Sequence, residues 1–319
     1  MPTPSLRALT PYLQIARFDH WFKNVFVLPG VAVVLFDDPG LWGGALVGKV
    51  LLGLLATGFV ASSNYVINEV LDAPRDAVHP VKRFRPVPSG RVHLPYAYVE
   101  WILLALLGFG LAALLGPWFL ACAVALWVMG CAYNIPPLRT KDRPYLDVLS
   151  ESVNNPLRLL LGWYATGTTL VPSLSLVMAY WMLGAFFMAI KRFAEYRRIG
   201  DAAAAGRYRR SFVHYTQERL LVSIVYYATA FGLFFGIFLI RYRLELLLTV
   251  PFLAGFMAYY IHLGYQEDSP TQYPERLYRQ TGFVAYTLVC LLLFIALMFV
   301  DIPLLDRLFA PTLHARGTD

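Results

Sequence analysis

Long apolar runs recur along the sequence, each bounded by charged residues, Gly or Pro. A helix needs about 20 mainly apolar residues to cross the hydrocarbon core of a bilayer, so each run is a candidate membrane span. The candidate spans are residues 25–35, 41–67, 96–115, 118–135, 146–164, 174–190, 220–240, 244–263 and 282–300. The first is short and the fifth contains charged side chains. The pattern as a whole predicts an all-α polytopic membrane protein with about nine transmembrane helices.

The composition is typical of a chain whose natural solvent is lipid, with 58% hydrophobic and 15% charged residues. The formal net charge of +7 raises the question of a nucleic-acid partner. These charges lie in segments between spans rather than along one soluble face, so membrane topology and anionic lipids explain them better. We therefore expect membrane lipids as partners and no nucleic acid.

The distribution of Lys and Arg also predicts the orientation. With a cytoplasmic N-terminus, the cytoplasmic segments contain 21 of the 27 Lys and Arg residues, as the positive-inside rule requires. We expect an integral protein of a bacterial inner (plasma) membrane, with its N-terminus and active site cytoplasmic. The sequence has no linker and no repeat of fixed period, so residues 1–319 are expected to form a single domain.

A ladder of polar side chains marks the end of the second candidate span. Asn64, Asn68 and Asp72 are four residues apart and share one helix face, and Asp76 continues the spacing. Because Pro74 lacks an N–H, we expect the helix to end or kink near Asp72 and to leave Asp76 on a loop. Such oxygen ligands suit Mg²⁺, and a cation shared with a diphosphate would relieve the repulsion between carboxylates. The metal ligands predicted here are Asn68, Glu69, Asp72 and Asp76.

Basic residues follow the ladder at two places in the sequence. Lys82, Arg83 and Arg85 come first, and Arg139 and Lys141 lie in the loop YNIPPLRTKDR, after Pro residues that end the fourth span. Arg offers phosphate a two-pronged contact, so both segments are expected to bind phosphate oxygens. The alternative is that these charges only set the topology of the membrane helices.

The fifth candidate span carries an unusual polar face. Asp147, Glu151, Asn154 and Arg158 follow each other in steps of three or four residues. Ionisable groups inside a membrane are costly and generally face a cavity or a partner, which predicts a role in substrate binding. The alternative is a structural role, in which Glu151 pairs with Asn154 or Arg158.

Two of these segments resemble a known family. The ladder at Asn68, Glu69, Asp72 and Asp76 matches the NDxxDxxxD motif of the UbiA superfamily of intramembrane prenyltransferases, with Glu in place of the usual Asp at the second position. The segment from His79 to Gly90 resembles the basic loop of the same superfamily, with its KRxRP core. The resemblance implies a UbiA-like helical bundle and a Mg²⁺-dependent transferase.

Further segments resemble one branch of the superfamily, the decaprenyl-phosphate phosphoribosyltransferases. They are RFDHWFKN at residues 17–24, KRFAE at residues 191–195 and RRSFVHYT at residues 209–216. Most superfamily members carry a second Asp-rich motif at the KRFAE position, so the basic block implies a different phosphate donor or fewer metal ions. This resemblance implies transfer of a phosphoribosyl group from phosphoribosyl diphosphate to a polyprenyl phosphate.

The residues and the resemblance together give a set of expected site residues. The expected catalytic residues are Asp72, Asp76, Lys82 and Arg85. The expected substrate-binding residues are Lys23, Asn64, Arg83, Tyr133, Arg139, Lys141, Asp147, Arg158, Lys191, Arg192 and Glu195. Two other functions stay open at this point, namely prenyl transfer from a prenyl diphosphate to an aromatic or other small acceptor, and a transporter with an internal ion path.

Overall fold

The structure is a computed structural model that describes residues 6–78, 81–272 and 274–309. His79, in the segment that resembles the UbiA basic loop, lies outside these residues. All regular elements in the described ranges are helical, and eight helices are long and apolar enough to cross a membrane. The predicted all-α polytopic membrane protein is confirmed.

The helices are numbered in chain order. They are α1 Leu6–Ala16, α2 Leu28–Asp37, α3 Gly44–Asp76, α4 Leu94–Ala113, α5 Pro117–Asn134, α6 Leu146–Ser152, α7 Asn154–Ala165, α8 Leu174–Ile199, α9 Ala202–Tyr208, α10 Gln217–Tyr242, α11 Val250–Gly264, α12 Pro274–Leu277, α13 Thr281–Met298 and α14 Pro303–Phe309. The eight membrane-spanning candidates are Leu9–Asp37, α3, α4, α5, α8, α10, Leu244–Gly264 and α13.

The span expected at residues 146–164 is not one continuous helix. It consists of α6 and α7, separated at Val153. Pro156 lies in the first turn of α7. The N–H groups of a first turn have no carbonyl partner within the helix, so a proline there costs no hydrogen bond of α7. A proline at this position favours a new helix start over continuation of α6, so this segment is not among the eight continuous helices of the described residues that are long and apolar enough to cross a membrane.

Helix α3 continues through Pro74 and ends at Asp76, so the expected helix end near Asp72 and the expected loop position of Asp76 are wrong. Pro74 cannot donate to the carbonyl four residues earlier, but this is one lost hydrogen bond, and the Ala77 amide still donates to the Ala73 carbonyl at 2.9 Å. Asp76 therefore stays on the same helix as Asp72. With 33 residues, α3 is longer than the roughly 30 Å hydrocarbon core at 1.5 Å per residue, so its polar end extends past the hydrocarbon.

Packing divides the chain into two units. The first comprises Met1–Pro172 and Arg209–His214. Within it, α3 packs along α4 and α5, and α2 crosses α7 closely. Gly30 and Gly162 permit that crossing, because a Cβ on Gly30 would overlap the Leu159 carbonyl and a Cβ on Gly162 would overlap the Val27 carbonyl.

The second unit comprises Ser173–Tyr208 and Tyr215–Asp319, and its main contact is between α8 and α10. The last turns of α8 carry Lys191, Arg192 and Glu195. Arg192 is buried and donates a 3.0 Å hydrogen bond to Glu195. The single domain expected for residues 1–319 stays a prediction.

Candidate active site

Asp72 is the centre of the polar cluster at the end of α3. Its Oδ1 accepts hydrogen bonds from Arg139 Nη2 and Lys141 Nζ, both at 2.7 Å. Burial lowers the pKa of Lys141 to about 8. The negative charge of Asp72 acts in the opposite direction, because it favours the protonated amine. The ladder predicted on α3 and the basic loop after α5 therefore meet at one carboxylate.

Asn134, at the end of α5, connects the two segments. Its Oδ1 accepts hydrogen bonds from Asn68 Nδ2 at 2.6 Å and from Lys141 Nζ at 2.8 Å. Its backbone carbonyl accepts from Arg139 at 3.0 Å. Asn134 thus fixes the basic loop against the ladder, a role that the sequence interpretation missed although Asn134 adjoins Tyr133.

Asp76 binds the other basic segment. Its Oδ2 accepts a 2.6 Å hydrogen bond from Arg85, and Lys82 Nζ lies 4.0 Å from its Oδ1. Arg83 in the same segment is exposed and stacks on the ring of Phe84, with its guanidinium carbon 4.8 Å from the ring centroid. Lys82 and Arg85 therefore interact with Asp76, the last residue of the ladder, whereas the Arg83 guanidinium contacts Phe84.

Glu69 has different surroundings from the other ladder residues. Its side chain is only 2% exposed, its Oε2 accepts a 3.1 Å hydrogen bond from Arg17, and its Oε1 accepts from the Val87 amide at 3.3 Å. Both oxygens are used to connect the N-terminal segment and the loop after α3. This geometry favours a structural role for Glu69 over the predicted role as a metal ligand.

A second buried network supports the loop that carries Arg139 and Lys141. Arg209 Nη2 donates to Tyr133 Oη at 3.0 Å and to the Lys141 carbonyl at 3.4 Å. Its Nε lies 3.3 Å from the fully buried carboxylate of Asp147. Tyr133 in turn donates to Glu151 at 2.7 Å. Tyr133 and Asp147 are thus tied to the loop, and Arg209 joins them.

The backbone at Arg139 is left-handed, with φ of 30°. Such a conformation costs a non-glycine residue roughly 1–2 kcal/mol and persists where the surroundings determine it. Arg139 has those surroundings, because its guanidinium binds Asp72, Asp142 and the Asn134 carbonyl.

Three other predicted binding residues of the first unit contact groups other than Asp72. Lys23 lies over the ring of Tyr65, with Nζ 5.9 Å from the centroid. Arg158 is buried and donates to Asn24 Oδ1 at 3.5 Å. Asn64 donates to the Leu126 carbonyl at 3.0 Å, and its buried Oδ1 has no hydrogen-bond partner within the described part of the chain. Lys191, Arg192 and Glu195 belong to the second unit.

The donor set fits Mg²⁺. Both hydrogen bonds to Asp72 fall on Oδ1, and its Oδ2 and the Oδ1 of Asn68 accept none from the described residues. Among those residues, no group of three or more His, Cys, Asp or Glu side chains converges on one point. Mg²⁺ generally binds through one or two carboxylates plus substrate phosphates and water, so Asp72 and Asp76 with Asn68 suit an ion that arrives with a phosphate ligand.

Apolar helices long enough to span a membrane, with two carboxylates and a surplus of cations at the end of α3, define an integral membrane protein with a polar site. The chain belongs to the UbiA prenyltransferase family, whose model matches residues 25–280. It is therefore a transferase of that superfamily, as the NDxxDxxxD resemblance implied. Family membership thus favours the enzyme hypotheses over the transporter alternative.

Known relatives agree with this assignment. Decaprenyl-phosphate phosphoribosyltransferase of Mycobacterium tuberculosis is 29% identical over 239 residues, which cover 73% of this chain and 75% of that protein. Digeranylgeranylglyceryl phosphate synthase of Methanobrevibacter smithii is 26% identical over 181 residues, covering 55% of this chain and 59% of that protein. A UbiA homolog from Archaeoglobus fulgidus, solved bound to GPP and Mg²⁺, has a TM-score of 0.67 at 22% identity, covers 91% of this chain and 100% of that chain, and shares the fold.

Proposed function

We propose that this protein transfers a phosphoribosyl group from phosphoribosyl diphosphate to a polyprenyl monophosphate, with release of diphosphate and with Mg²⁺ as cofactor. The observation that carries the proposal is the similarity to the mycobacterial decaprenyl-phosphate phosphoribosyltransferase over 73% of this chain. The cationic surplus around Asp72 and Asp76 supports it, since both substrates carry phosphate.

The reaction exchanges one C–O bond for another. An oxygen of the lipid phosphate forms a bond to the anomeric carbon of the ribose, while the bond from that carbon to the diphosphate breaks and the diphosphate leaves with the electron pair. The lipid phosphate is already an anion, so no strong general base is needed. The protein therefore has to orient two anionic substrates and to stabilise the negative charge of the departing diphosphate.

Asp72, Asp76 and Asn68 are the residues that would hold Mg²⁺, which would act as a Lewis acid on the leaving diphosphate. Lys82 and Arg85 lie beside Asp76 and bind the phosphate oxygens that the metal leaves uncovered. Arg139 and Lys141 pair with Asp72 and would be available to bind phosphate oxygens if Asp72 held the metal ion. Substrate binding would therefore replace internal ion pairs with charge-assisted contacts to substrate phosphate.

The other predicted residues have supporting roles in this proposal. Tyr133 and Asp147 position the loop that carries Arg139 and Lys141, through Arg209. The remaining expected contacts to substrate stay predictions, and they are Lys23, Asn64, Arg83, Arg158, Lys191, Arg192 and Glu195. The excess of Lys and Arg between spans supports a cytoplasmic N-terminus and active site, in a bacterial inner membrane.

Prenyl transfer from a prenyl diphosphate to an aromatic or other small acceptor is the second candidate. A solved homolog bound to GPP and Mg²⁺ favours it, because its fold covers 91% of this chain. This reaction uses the same metal and diphosphate residues but needs no second phosphate.

Parallel assays on the purified protein in detergent distinguish the two candidates. One assay supplies Mg²⁺, phosphoribosyl diphosphate and polyprenyl phosphate, and the other supplies Mg²⁺, a prenyl diphosphate and an aromatic acceptor. We expect a ribosylated lipid, identified by mass, only in the first. A prenylated acceptor without any ribosylated lipid would assign the protein to prenyl transfer.

A further inference from the structure

Three arginines surround the carboxylate of Asp142, which the sequence interpretation did not single out. Arg75 binds both of its oxygens, at 2.8 and 2.9 Å, Arg139 Nε donates to Oδ2 at 3.1 Å, and Arg210 Nη1 lies 3.9 Å from Oδ2. The Asp142 side chain is 13% exposed, whereas those of Arg75 and Arg210 are 41% and 72% exposed. The cluster is therefore accessible to a ligand from solvent.

The contact between Arg75 and Asp142 has the geometry of a phosphate site. A guanidinium fork binds two oxygens of a carboxylate or of a phosphate in the same two-pronged way. Although its burial alone would raise the pKa of Asp142, the hydrogen bond from Arg75 and the charges of Arg75 and Arg139 hold that pKa below its usual range. Asp142 is therefore an ionised occupant of a site that also suits phosphate.

The charges leave room for a further anion. Arg75, Arg139, Arg210 and Lys141 bring four positive charges to Asp142 and Asp72, which bring two negative charges. A phosphomonoester carries about −1.5 to −2 near neutral pH, which would balance this surplus.

The cluster is separate from the residues that bind Asp76. Arg75 and Asp76 are consecutive on α3 and therefore point about 100° apart around the helix axis. Arg75 binds the loop that carries Asp142, and Asp76 binds the segment that carries Arg85. The end of α3 thus supports two anion sites side by side, both within one turn or so after Asp72.

We propose that Arg75 and Arg210, together with Arg139, form a second phosphate subsite for a phosphomonoester, and that Asp142 occupies it until the ligand displaces the carboxylate. The phosphate would come either from the 5-phosphate of the ribosyl donor or from the lipid acceptor. Only this choice of source rests on the proposed function. The first site then takes the diphosphate.

Binding measurements on the full chain in detergent test the proposal without requiring turnover. The probes are ribose 5-phosphate, a short-chain polyprenyl monophosphate, and inorganic diphosphate with Mg²⁺. Arg75→Gln is expected to weaken binding of one monophosphate about tenfold or more, because a charge-assisted contact is lost. Asp142→Asn is expected to strengthen binding of the same probe, because the internal competitor loses its charge. Arg210→Gln changes a largely exposed side chain, so it keeps the test valid if the other variants unfold. This variant should weaken binding of the same probe.

The matched control is Arg276→Gln, which breaks an exposed Arg–Asp pair in the second unit and should leave all three affinities unchanged. If the variants change the affinity for ribose 5-phosphate, the subsite belongs to the donor. If they change the affinity for the polyprenyl monophosphate, it belongs to the acceptor. Weaker binding in both Arg75→Gln and Asp142→Asn, or no change in either monophosphate, would overturn the proposal and leave Asp142 as a structural tie. Because these are affinities, failure of phosphoribosyl transfer in the activity assay would be a separate result.

Discussion

Lys141 donates a 2.7 Å hydrogen bond to Asp72, although the two residues lie 69 positions apart in the sequence. The same amine donates to Asn134. A cation is therefore held in the position where the proposed metal ion and diphosphate meet the protein. The positive charge of Lys141 therefore neutralises the negative charge of Asp72 in the protein without substrate.

Loss of the Lys141 charge should weaken use of the diphosphate substrate. For Lys141→Gln we expect kcat/KM for phosphoribosyl diphosphate to fall about 10- to 100-fold, because a hydrogen bond to a charged group is lost. Steady-state kinetics in detergent measure the change. Arg143→Gln is the control, since Arg143 is an exposed cation of the same loop that donates only to a backbone carbonyl among the described residues. An equal loss in both variants would indicate a general effect of loop charge.

Glu69 should prove to be structural. Glu69→Gln replaces the ion pair with Arg17 by a neutral contact, so we expect the free energy of unfolding to fall by about 1–3 kcal/mol. The Mg²⁺ concentration required for half-maximal activity should stay close to that of the wild type. Thermal unfolding and a Mg²⁺ titration measure the two effects. A higher Mg²⁺ requirement with unchanged stability would restore Glu69 to the metal ligands.

The close crossing of α2 and α7 predicts a strict requirement for glycine. Gly162→Ala places a Cβ against the Val27 carbonyl, and such overpacking typically costs about 1–3 kcal/mol. Gly48→Ala is the matched control, because a Cβ there meets nothing within 4 Å and alanine is the better helix former. We expect the first variant to unfold at a lower temperature in detergent and the second to match or exceed the wild type. Similar unfolding temperatures would contradict the crossing.

Asp147 is expected to act by positioning the loop through Arg209. Asp147→Asn leaves the Arg209 guanidinium without its buried carboxylate, so the free energy of unfolding should fall by about 3–5 kcal/mol. Ser211→Ala removes the hydrogen bond that Ser211 donates to Asp147 and the one that it accepts from Arg209 Nε, but leaves the ion pair intact, and should cost only about 1–2 kcal/mol. Thermal unfolding of the pair of variants measures the difference. Unchanged stability with a selective rise in KM for one substrate would instead make Asp147 a direct binding residue.

The sequence predicted the features that depend on local spacing. Apolar runs gave most membrane spans, and the four-residue steps gave the helix face of Asn68 and Asp72. The position of Pro74 was misleading, because a proline in the last turn of a helix disturbs only one hydrogen bond. Pro156, near the start of α7, had the larger effect, since it coincides with a helix start that divides the expected fifth span.

The partners of the ladder could not be predicted from spacing. Lys141 donates to Asp72 and Arg75 donates to Asp142, and each of these hydrogen bonds joins residues more than 60 positions apart. Glu69 illustrates the same limit, because only the fold reveals that its oxygens face Arg17 and the Val87 amide rather than the ladder. A motif therefore indicates which residue types are present, whereas the fold determines which of them share a ligand.

Release of diphosphate by the wild type and by Asp72→Asn is the most direct test of the account. The assay contains the purified protein, phosphoribosyl diphosphate and polyprenyl phosphate, with Mg²⁺ or with EDTA. We expect release in the wild type that needs both the lipid and Mg²⁺, and a loss of about 100-fold or more in the variant, since metal stabilisation of the leaving group is worth several kcal/mol. Release that persists at the wild-type rate in folded Asp72→Asn, or that does not need the lipid, would contradict the central role of Asp72 in transfer to a lipid phosphate.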